Sequence, residues 1–224
     1  MSKKLMIAGC CSMLMLSACG SVNSSMSANH KTVEFYRIFD VHTNANRQDV
    51  ADLAVKGLSR WVSNVNERRP IPSSAELPEK PGRFKVKQVQ MSGNMAALMA
   101  MSGQGLPSSV TCDGAAWIGT AVKTVAGTDG INVTACLFPY KGGYHLDVYG
   151  TYSEQSSGFT LNPYELGAKI AKAVTGTPGE WMDKMIAGTT QEIKTGAHAQ
   201  VAFLEGYPKP KGQPWWATKE TAVK

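Results

Sequence analysis

The stretch that decides the fold runs from Ile131 to Ser153, INVTACLFPYKGGYHLDVYGTYS. Two parts of it, Ile131–Phe138 and Tyr144–Ser153, are rich in β-branched and aromatic residues, which favour strands. Lys141-Gly142-Gly143 lies between them, and paired glycines supply the positive φ angles that tight hairpin turns require. The pattern predicts two antiparallel strands joined by a short turn, and therefore an antiparallel sheet.

The N-terminus carries a second informative pattern. Lys3-Lys4 precede an apolar run, Leu5–Leu16, that is too short to span a bilayer as a helix. A basic start, a short apolar run and small residues before a cleavage point are typical of a secretory signal peptide. The run ends in Leu16-Ser17-Ala18-Cys19, which resembles the lipobox of bacterial lipoproteins.

That resemblance implies that residues 1–18 are removed and that Cys19, the new first residue, carries two or three acyl chains. This number of chains gives lasting membrane attachment. Gly20 and Ser21 replace the Asp that retains Gram-negative family members in the inner membrane, so the expected location is the periplasmic side of the outer membrane. The small polar residues of 19–31 predict a lipidated, flexible tether. The alternative is an ordinary secretion signal with a chance cysteine.

Two of the five cysteines remain after these assignments. Cys10 and Cys11 leave with the signal peptide, and Cys19 carries lipid. Cys112 and Cys136 then form an even pair in an oxidising compartment, which predicts a structural disulfide bond. Closing this loop contributes about 3 kcal/mol to stability in the chain-entropy description. The alternative is a reactive or metal-binding pair.

The predicted disulfide conflicts with the simplest strand assignment. Ala116–Val125 has the composition of a strand, and a turn centred on Thr128-Asp129 would place Cys136 about 30 Å from Cys112. A disulfide requires Cα atoms closer than about 7 Å. We therefore expect no straight hairpin here, and a chain that bends back at Gly114 and Gly119.

Strand and helix patterns predict one domain over residues 32–206. Val33–Val41 and Phe84–Val89 are strand-like, whereas Met95–Met101 fits a helix or a buried strand equally well. Between the first two strands, Asn46 is an N-cap residue for a long helix whose apolar stripe continues to Val65, with Arg68-Arg69 near its C-terminus and Pro70 as its stop.

The C-terminal third predicts a pair of helices and a last strand. One helix starts at Asn162 and the next at Thr177, and each start carries a cap, a proline and a glutamate. Gly196 ends the second helix, and Ala199–Leu204 is strand-like. The fold class is therefore α+β, an antiparallel sheet packed against one long helix and a C-terminal helix pair. This element order is similar to that of helix-grip domains.

Two segments suggest contact with other molecules. Residues 207–224 form a Pro- and Lys-containing tail with Trp215-Trp216, and exposed aromatics beside cations suit a protein, a glycan or a membrane interface. The alternative is that the tail folds back over the sheet. Residues 70–82 contain four prolines and predict either a plain extended connection or a polyproline II surface.

The charge distribution argues against a nucleic-acid partner. The formal net charge of +6 falls to +4 without Lys3 and Lys4, and the remaining positive residues are mostly dispersed. A nucleic-acid-binding protein concentrates Lys and Arg on one face or stripe.

Candidate catalytic residues are few. His145, Asp147 and Tyr149 alternate along one strand, so they share a face, which we expect to be solvated because the opposite face is apolar. A His beside an Asp is also a possible acid–base pair. No Gly-x-Ser-x-Gly elbow occurs, and the histidines lack the paired spacing of a metal site, so we expect neither a metal nor another cofactor.

These observations favour a non-enzymatic lipoprotein of the outer membrane that binds or scaffolds other components of the cell envelope. The first alternative is a lipoprotein that binds a small apolar ligand between helix and sheet, in a pocket lined by Trp61 and Met95–Met101. The second is an envelope hydrolase in which Cys112 is the nucleophile and His145 its base.

Overall fold

A six-stranded antiparallel sheet and two helices make up most of the computed structural model, which describes residues 29–71, 76–89, 93–94, 97, 108–124, 130–156 and 177–210. The predicted α+β class is confirmed. Several predicted features lie outside the described residues: the signal peptide and Cys19, the helix from Asn162, Met95–Met101 except Ala97, and Trp215-Trp216.

The described strands form two sheets. The six-stranded sheet has the strand order β2-β5-β6-β7-β1-β8, and β3 and β4 form a separate two-stranded ribbon. The bounds are β1 Asn29–His42, α1 Arg47–Ser59, β2 Asn66–Arg68, β3 Lys85–Gln88, β4 Ser108–Thr111, β5 Trp117–Lys123, β6 Ile131–Tyr140, β7 Gly143–Ser156, α2 Pro178–Gly196 and β8 Gln200–Tyr207.

The hairpin of β6 and β7 lies at the centre of the sheet, as its sequence predicts. Tyr140 pairs with Gly143, which leaves a two-residue turn at Lys141-Gly142. Gly143 has a φ of 137°, a conformation that side chains rarely adopt. A Cβ atom at this position would also overlap the carbonyl oxygen of Val41 in β1. Glycine is therefore required twice at Gly143, by the turn and by the neighbouring strand.

The substitution Gly143→Ala tests this double requirement. We expect it to lower the free energy of unfolding by about 2 kcal/mol or more, because the methyl group adds a clash with β1 to an unfavourable φ. Gly114→Ala is the matched control, since Gly114 has a φ of 85° with nothing within 4 Å of an added Cβ. Its expected cost is about 1 kcal/mol. Equal losses in urea unfolding of the two variants would contradict the role of Val41.

The structure places Cys112 and Cys136 in a disulfide, with Cα atoms 6.2 Å apart. The expectation that it excludes a straight hairpin is wrong. β5 and β6 pair regularly, but in a shifted register that places Cys136 opposite Ile118. The chain before β5 reverses at Asp113-Gly114, where the amide of Ala115 donates to the carbonyl of Cys112. One bend at Gly114 therefore brings Cys112 over β6, and Gly119 lies inside a strand.

Both helices pack on one face of the sheet. Their contact is close, since a Cβ atom at Gly57 of α1 would overlap the backbone of Thr189 in α2. The core between helices and sheet includes Trp117, Leu137, Leu146, Met182, Met185 and Ile186, each less than 2% exposed. Burial of such apolar side chains is the dominant favourable contribution to the stability of a domain. No helix among the described ranges is both long and apolar enough to cross a membrane.

Helix α1 is shorter than its apolar periodicity predicts. Asn46 caps it as expected, accepting hydrogen bonds from the amides of Gln48 and Asp49. The helix nevertheless ends at Ser59, and Asn66–Arg68 forms strand β2 against β5. Hydrogen bonds to a sheet edge replace the last turns of the predicted helix, so Arg68 and Arg69 do not lie at a helix terminus. Among the described residues the longest helix is α2, which starts in a Thr177/Glu180 capping box and ends at Gly196, as predicted.

The domain is slightly longer at both ends than residues 32–206. Strand β1 starts at Asn29, so residues 29–31 of the predicted tether belong to the sheet. Tyr207 of the predicted tail pairs with Tyr36, and the carbonyl of Pro208 accepts a hydrogen bond of 2.8 Å from buried Arg37. Arg37 also forms an ion pair of 3.1 Å with Asp183 of α2. Pro208 is thus fixed to the domain.

Candidate functional site

The second face of the sheet is covered, which corrects the prediction that His145, Asp147 and Tyr149 face water. The β3–β4 ribbon and the chain leading into it lie on this face, where Phe84 packs against Tyr149 with ring centroids 5.5 Å apart. Asp147 is 1% exposed and Tyr149 is 5% exposed. No sequence pattern indicated this cover, because the covering residues are themselves largely polar or exposed.

Asp147 is a buried carboxylate, and few interactions replace the hydration that it loses on burial. One of its oxygens accepts a hydrogen bond of 3.1 Å from the amide of Phe84, and the other has no hydrogen-bond partner among the described residues. Burial raises the pKa of Asp147 to about 6, although the Phe84 amide and the charge of Arg83 favour the ionised form. The carboxyl group therefore holds its proton in the folded state up to mildly acidic pH.

Replacing Asp147 by Asn should change how stability depends on pH. The folded carboxyl has a pKa near 6 and its ordinary value is 3.8, so the folded state binds more protons between these values. The stabilisation is complete below pH 3.8 and is lost as pH rises through 6. Relative to wild type, Asp147→Asn should therefore gain about 2 kcal/mol between pH 4 and pH 7, measured by urea unfolding.

Thr111→Val is the matched control, because its hydroxyl is also buried without a hydrogen-bond partner but does not titrate in this range. Its effect on stability should be the same at both pH values. If Asp147→Asn and wild type instead keep a constant difference from pH 4 to pH 7, the shifted pKa is refuted.

A second cluster of polar side chains surrounds Asp40 near the β6–β7 turn. The Tyr140 hydroxyl donates to Oδ1 of Asp40 at 2.7 Å, and Nε2 of His42 lies 2.8 Å from Oδ2. His145 is 3.9 Å from Asp40, and burial lowers the pKa of its imidazole. Among the described residues, no Ser, Thr or Cys side chain is hydrogen-bonded to either histidine. The group can hold and exchange protons, but it lacks an adjacent nucleophile.

A cleft of about 1230 Å³ lies beside strands β5 and β6. We call it the proline cleft, because Pro70-Ile71 and residues 76–78 form one side. The turn at Val110–Ala116 forms the opposite side. Residues of β5 and β6 also line it, namely Ile118, Thr120, Thr134 and Pro139.

Exposed apolar side chains are concentrated on one side of this cleft. Ile71 is 93% exposed and Leu77 is 48% exposed, and a proline adjoins each of them. Such residues gain from being covered, at about 25 cal/mol per Å² of apolar surface removed from water. The proline cleft is therefore an unfilled surface suited to contact with another molecule.

Charged groups line the same cleft. The guanidinium groups of Arg47 and Arg68 are exposed, and neither forms an ion pair within the described ranges. Asp113 pairs with Lys85 at 3.6 Å, and Glu76 already has an interaction of its own. Two cationic side chains without an anionic partner thus remain in the cleft.

The candidate residues from sequence fall into different places. Cys112 lies in the wall of the cleft, but it is bonded to Cys136. Trp61 does not line a pocket between helix and sheet, because it packs edge-on against Trp181 of α2 with ring centroids 6.4 Å apart. Within the described ranges, no three His, Cys, Asp or Glu residues are arranged to hold a metal ion.

The sequence did not point to Arg47, Arg68 or Thr111 as site residues. They are distant in sequence, and the structure brings them together through β2 pairing and the disulfide-linked turn. The available signal was the proline-rich segment 70–82, whose apolar residues lie between prolines. A surface role for this segment was one of the two interpretations that its sequence allowed.

Comparison with known proteins gives no family. No family model matches the chain, and no curated protein matches it. Among solved structures, the chain is similar to a protein of unknown function from Staphylococcus aureus, with 14% identity over 75% of this chain and 96% of that one and a TM-score of 0.27.

It is also similar to Ara h 8.0201, with 13% identity over 74% of this chain and 99% of that one and a TM-score of 0.23. A dicamba monooxygenase shares 14% identity over 75% of this chain and 51% of its own, with a TM-score of 0.20. At these TM-scores the likenesses support no argument about function.

Proposed function

We propose that this chain is a non-enzymatic lipoprotein, anchored to the outer membrane on its periplasmic side, that binds or scaffolds other components of the cell envelope. We assign the proline cleft as its contact surface. The observation that carries the proposal is an open cleft of about 1230 Å³ whose side includes the 93% exposed Ile71. The exposed apolar side chains of Ile71 and Leu77 on one side of the cleft gain free energy when a partner covers them.

The anchor is supported by the N-terminal sequence. Leu16-Ser17-Ala18-Cys19 has the form of a lipobox, and Gly20 and Ser21 follow it. A chain held by lipid on Cys19 meets its partners close to a membrane surface, which raises their effective concentration.

A hydrolase based on Cys112 is disfavoured by the chemistry of its sulfur. A cysteine acts as a nucleophile through its thiolate, and a disulfide has none. Cys112 is bonded to Cys136, and the remaining polar groups around Asp40 contain no substitute nucleophile within the described ranges.

The binding of a small apolar ligand between helices and sheet has less support than the cleft. Such a ligand requires an empty volume, but Met182, Met185 and Ile186 of α2 are fully buried in the core with Leu137 and Leu146 of the sheet. Trp215-Trp216 remains a second proposed contact in the tail, independent of the cleft.

Changing Cys19 to Ser tests the anchor. In cells fed labelled palmitate, wild type should carry label and sediment with membranes, and Cys19→Ser should lose both properties because no thiol accepts lipid. Cys112→Ser/Cys136→Ser serves as the control for loss of cysteine in general and should keep the label. Label on Cys19→Ser, or its absence from wild type, would contradict lipidation at this residue.

Photo-crosslinking in whole envelopes tests the contact surface. A benzoylphenylalanine at position 71 should form covalent adducts with envelope components, since this side chain lies at the cleft and is exposed. The same group at Leu204, which is 49% exposed in β8 outside the cleft, is the control and should give few adducts.

A third sample separates the cleft from the tail. The chain should be shortened after Pro210 rather than after Gly206, because Tyr207 pairs with β1 and Pro208 accepts from Arg37. Adducts at position 71 that persist without residues 211–224 support the cleft. Loss of all adducts on shortening would assign the contact to the tail, and equal labelling from positions 71 and 204 would argue against a defined surface.

A further inference from the structure

A short segment of the cover lies directly on the central strands of the sheet. We call residues 78–88 the arm, which comprises β3 and the chain that leads into it. Only three positions of the arm are partly buried, among them Gly82 and Phe84, and its other residues are exposed. A Cβ atom at Gly82 would overlap the ring of Phe138, and the ring of Phe84 packs against Tyr149. The arm therefore contacts the sheet over only a few residues.

Asp147 lies beneath this contact and bonds to it. The amide of Phe84 donates to one carboxylate oxygen at 3.1 Å, and the other oxygen is buried with no hydrogen-bond partner among the described residues. Burial raises the pKa of Asp147 to about 6, since an ionised carboxylate needs more hydrogen bonds than this site supplies. Strands β6 and β1 flank Asp147 within the sheet, so movement of the arm is the direct route by which water reaches the second oxygen.

Both ends of the arm are attached by bonds that do not involve Asp147. Strand β3 pairs with β4, and Cys112, the residue after β4, is bonded to Cys136 of the sheet. At the other end, the amide of Lys141 donates to the carbonyl of Pro78 at 3.0 Å. Loss of the bond to Phe84 therefore permits a local movement between two attached ends.

Titratable and charged groups face Asp147 from the surrounding elements. They are His145 and Tyr149 of β7, Tyr36 and Asp40 of β1, Glu205 of β8 and Arg83 of the arm. The charge of Arg83 favours the ionised form of Asp147, but Arg83 is itself paired with Glu205. Cys136, opposite Asp147 in β6, is in the disulfide and does not titrate. Ionisation of Asp147 therefore leaves a buried charge without a dedicated cationic partner.

We propose that Asp147 is a pH-sensitive switch for the arm. The protonated carboxyl group is compatible with the closed arm, whereas the ionised group is hydrated and releases Gly82 and Phe84. Release uncovers the aromatic rings of Phe138 and Tyr149. This movement belongs to the domain itself and does not depend on any partner of the proline cleft.

Proton linkage sets the size of the effect. The carboxyl has a pKa of about 6 under the closed arm, and an open arm returns it to its ordinary value of 3.8. The closed state binds the proton more tightly, so its added stability is complete below pH 3.8 and is lost as pH rises through 6. The equilibrium constant for opening should rise about fiftyfold from pH 4 to pH 7.

Hydrogen exchange of the Phe84 amide tests this switch in the full mature chain held in detergent micelles. After correction for the intrinsic exchange rate at each pH, its protection, read by NMR spectroscopy, should fall about fiftyfold from pH 4 to pH 7. In Asp147→Asn, whose side chain can still accept from this amide, protection should change by less than about threefold. Asp113→Asn removes an exposed carboxylate elsewhere in the cover and should keep the change seen in wild type.

The amide of Leu146, in a strand paired on both sides, distinguishes local opening from global unfolding. At pH 7, Phe84 should exchange faster than Leu146 and depend less on added urea, because local opening exposes little surface. Three results would overturn the switch: equal protection of the two amides, protection of Phe84 that is constant from pH 4 to pH 7 in wild type, or a wild-type pH dependence in Asp147→Asn. Crosslinking at position 71 tests the proposed function independently of these outcomes.

Discussion

Burial of the β6–β7 hairpin on both faces is the constraint on which the rest of the structure depends. One face lies under α1 and α2, and the other lies under the ribbon and the disulfide-linked turn. On a strand covered on both sides, a polar side chain costs free energy unless it finds a bonding partner. Asp147 and Cys136 show the two outcomes, since Cys136 is bonded across to the turn and Asp147 keeps one oxygen without a partner.

The two faces differ in how they are stabilised. The helical face has a large apolar core, whereas the second face has a small apolar cluster of five buried residues supported by a covalent bond. Closing a loop over 24 positions with a disulfide stabilises by about 3 kcal/mol, which matters most where apolar burial is limited. The disulfide therefore helps to hold the cover on the second face, and disulfides persist in oxidising compartments.

Local patterns predicted the elements that local interactions determine. The Gly142-Gly143 turn, the Asn46 cap and the Thr177/Glu180 box are each specified within a few residues, and all are confirmed. The end of α1 and the register of β5 were mispredicted because each depends on a partner far away in sequence. Asn66–Arg68 leaves the helix only because β5 offers an edge, and periodicity contains no information about that edge. The site is harder still to predict, since Arg47, Ile71 and Thr111 converge only once three separate segments have been placed.

Strand β1 separates the point where the described chain enters the sheet from the cleft. The described chain enters the sheet at Asn29, whereas Thr134 and Pro139 of the cleft lining lie level with Tyr36 and Val41, through the pairing of β1, β7 and β6. Along β1 these positions are seven to twelve residues from the entry, or about 23–40 Å. The strand therefore acts as a spacer between the point where the chain enters the sheet and these residues of the cleft.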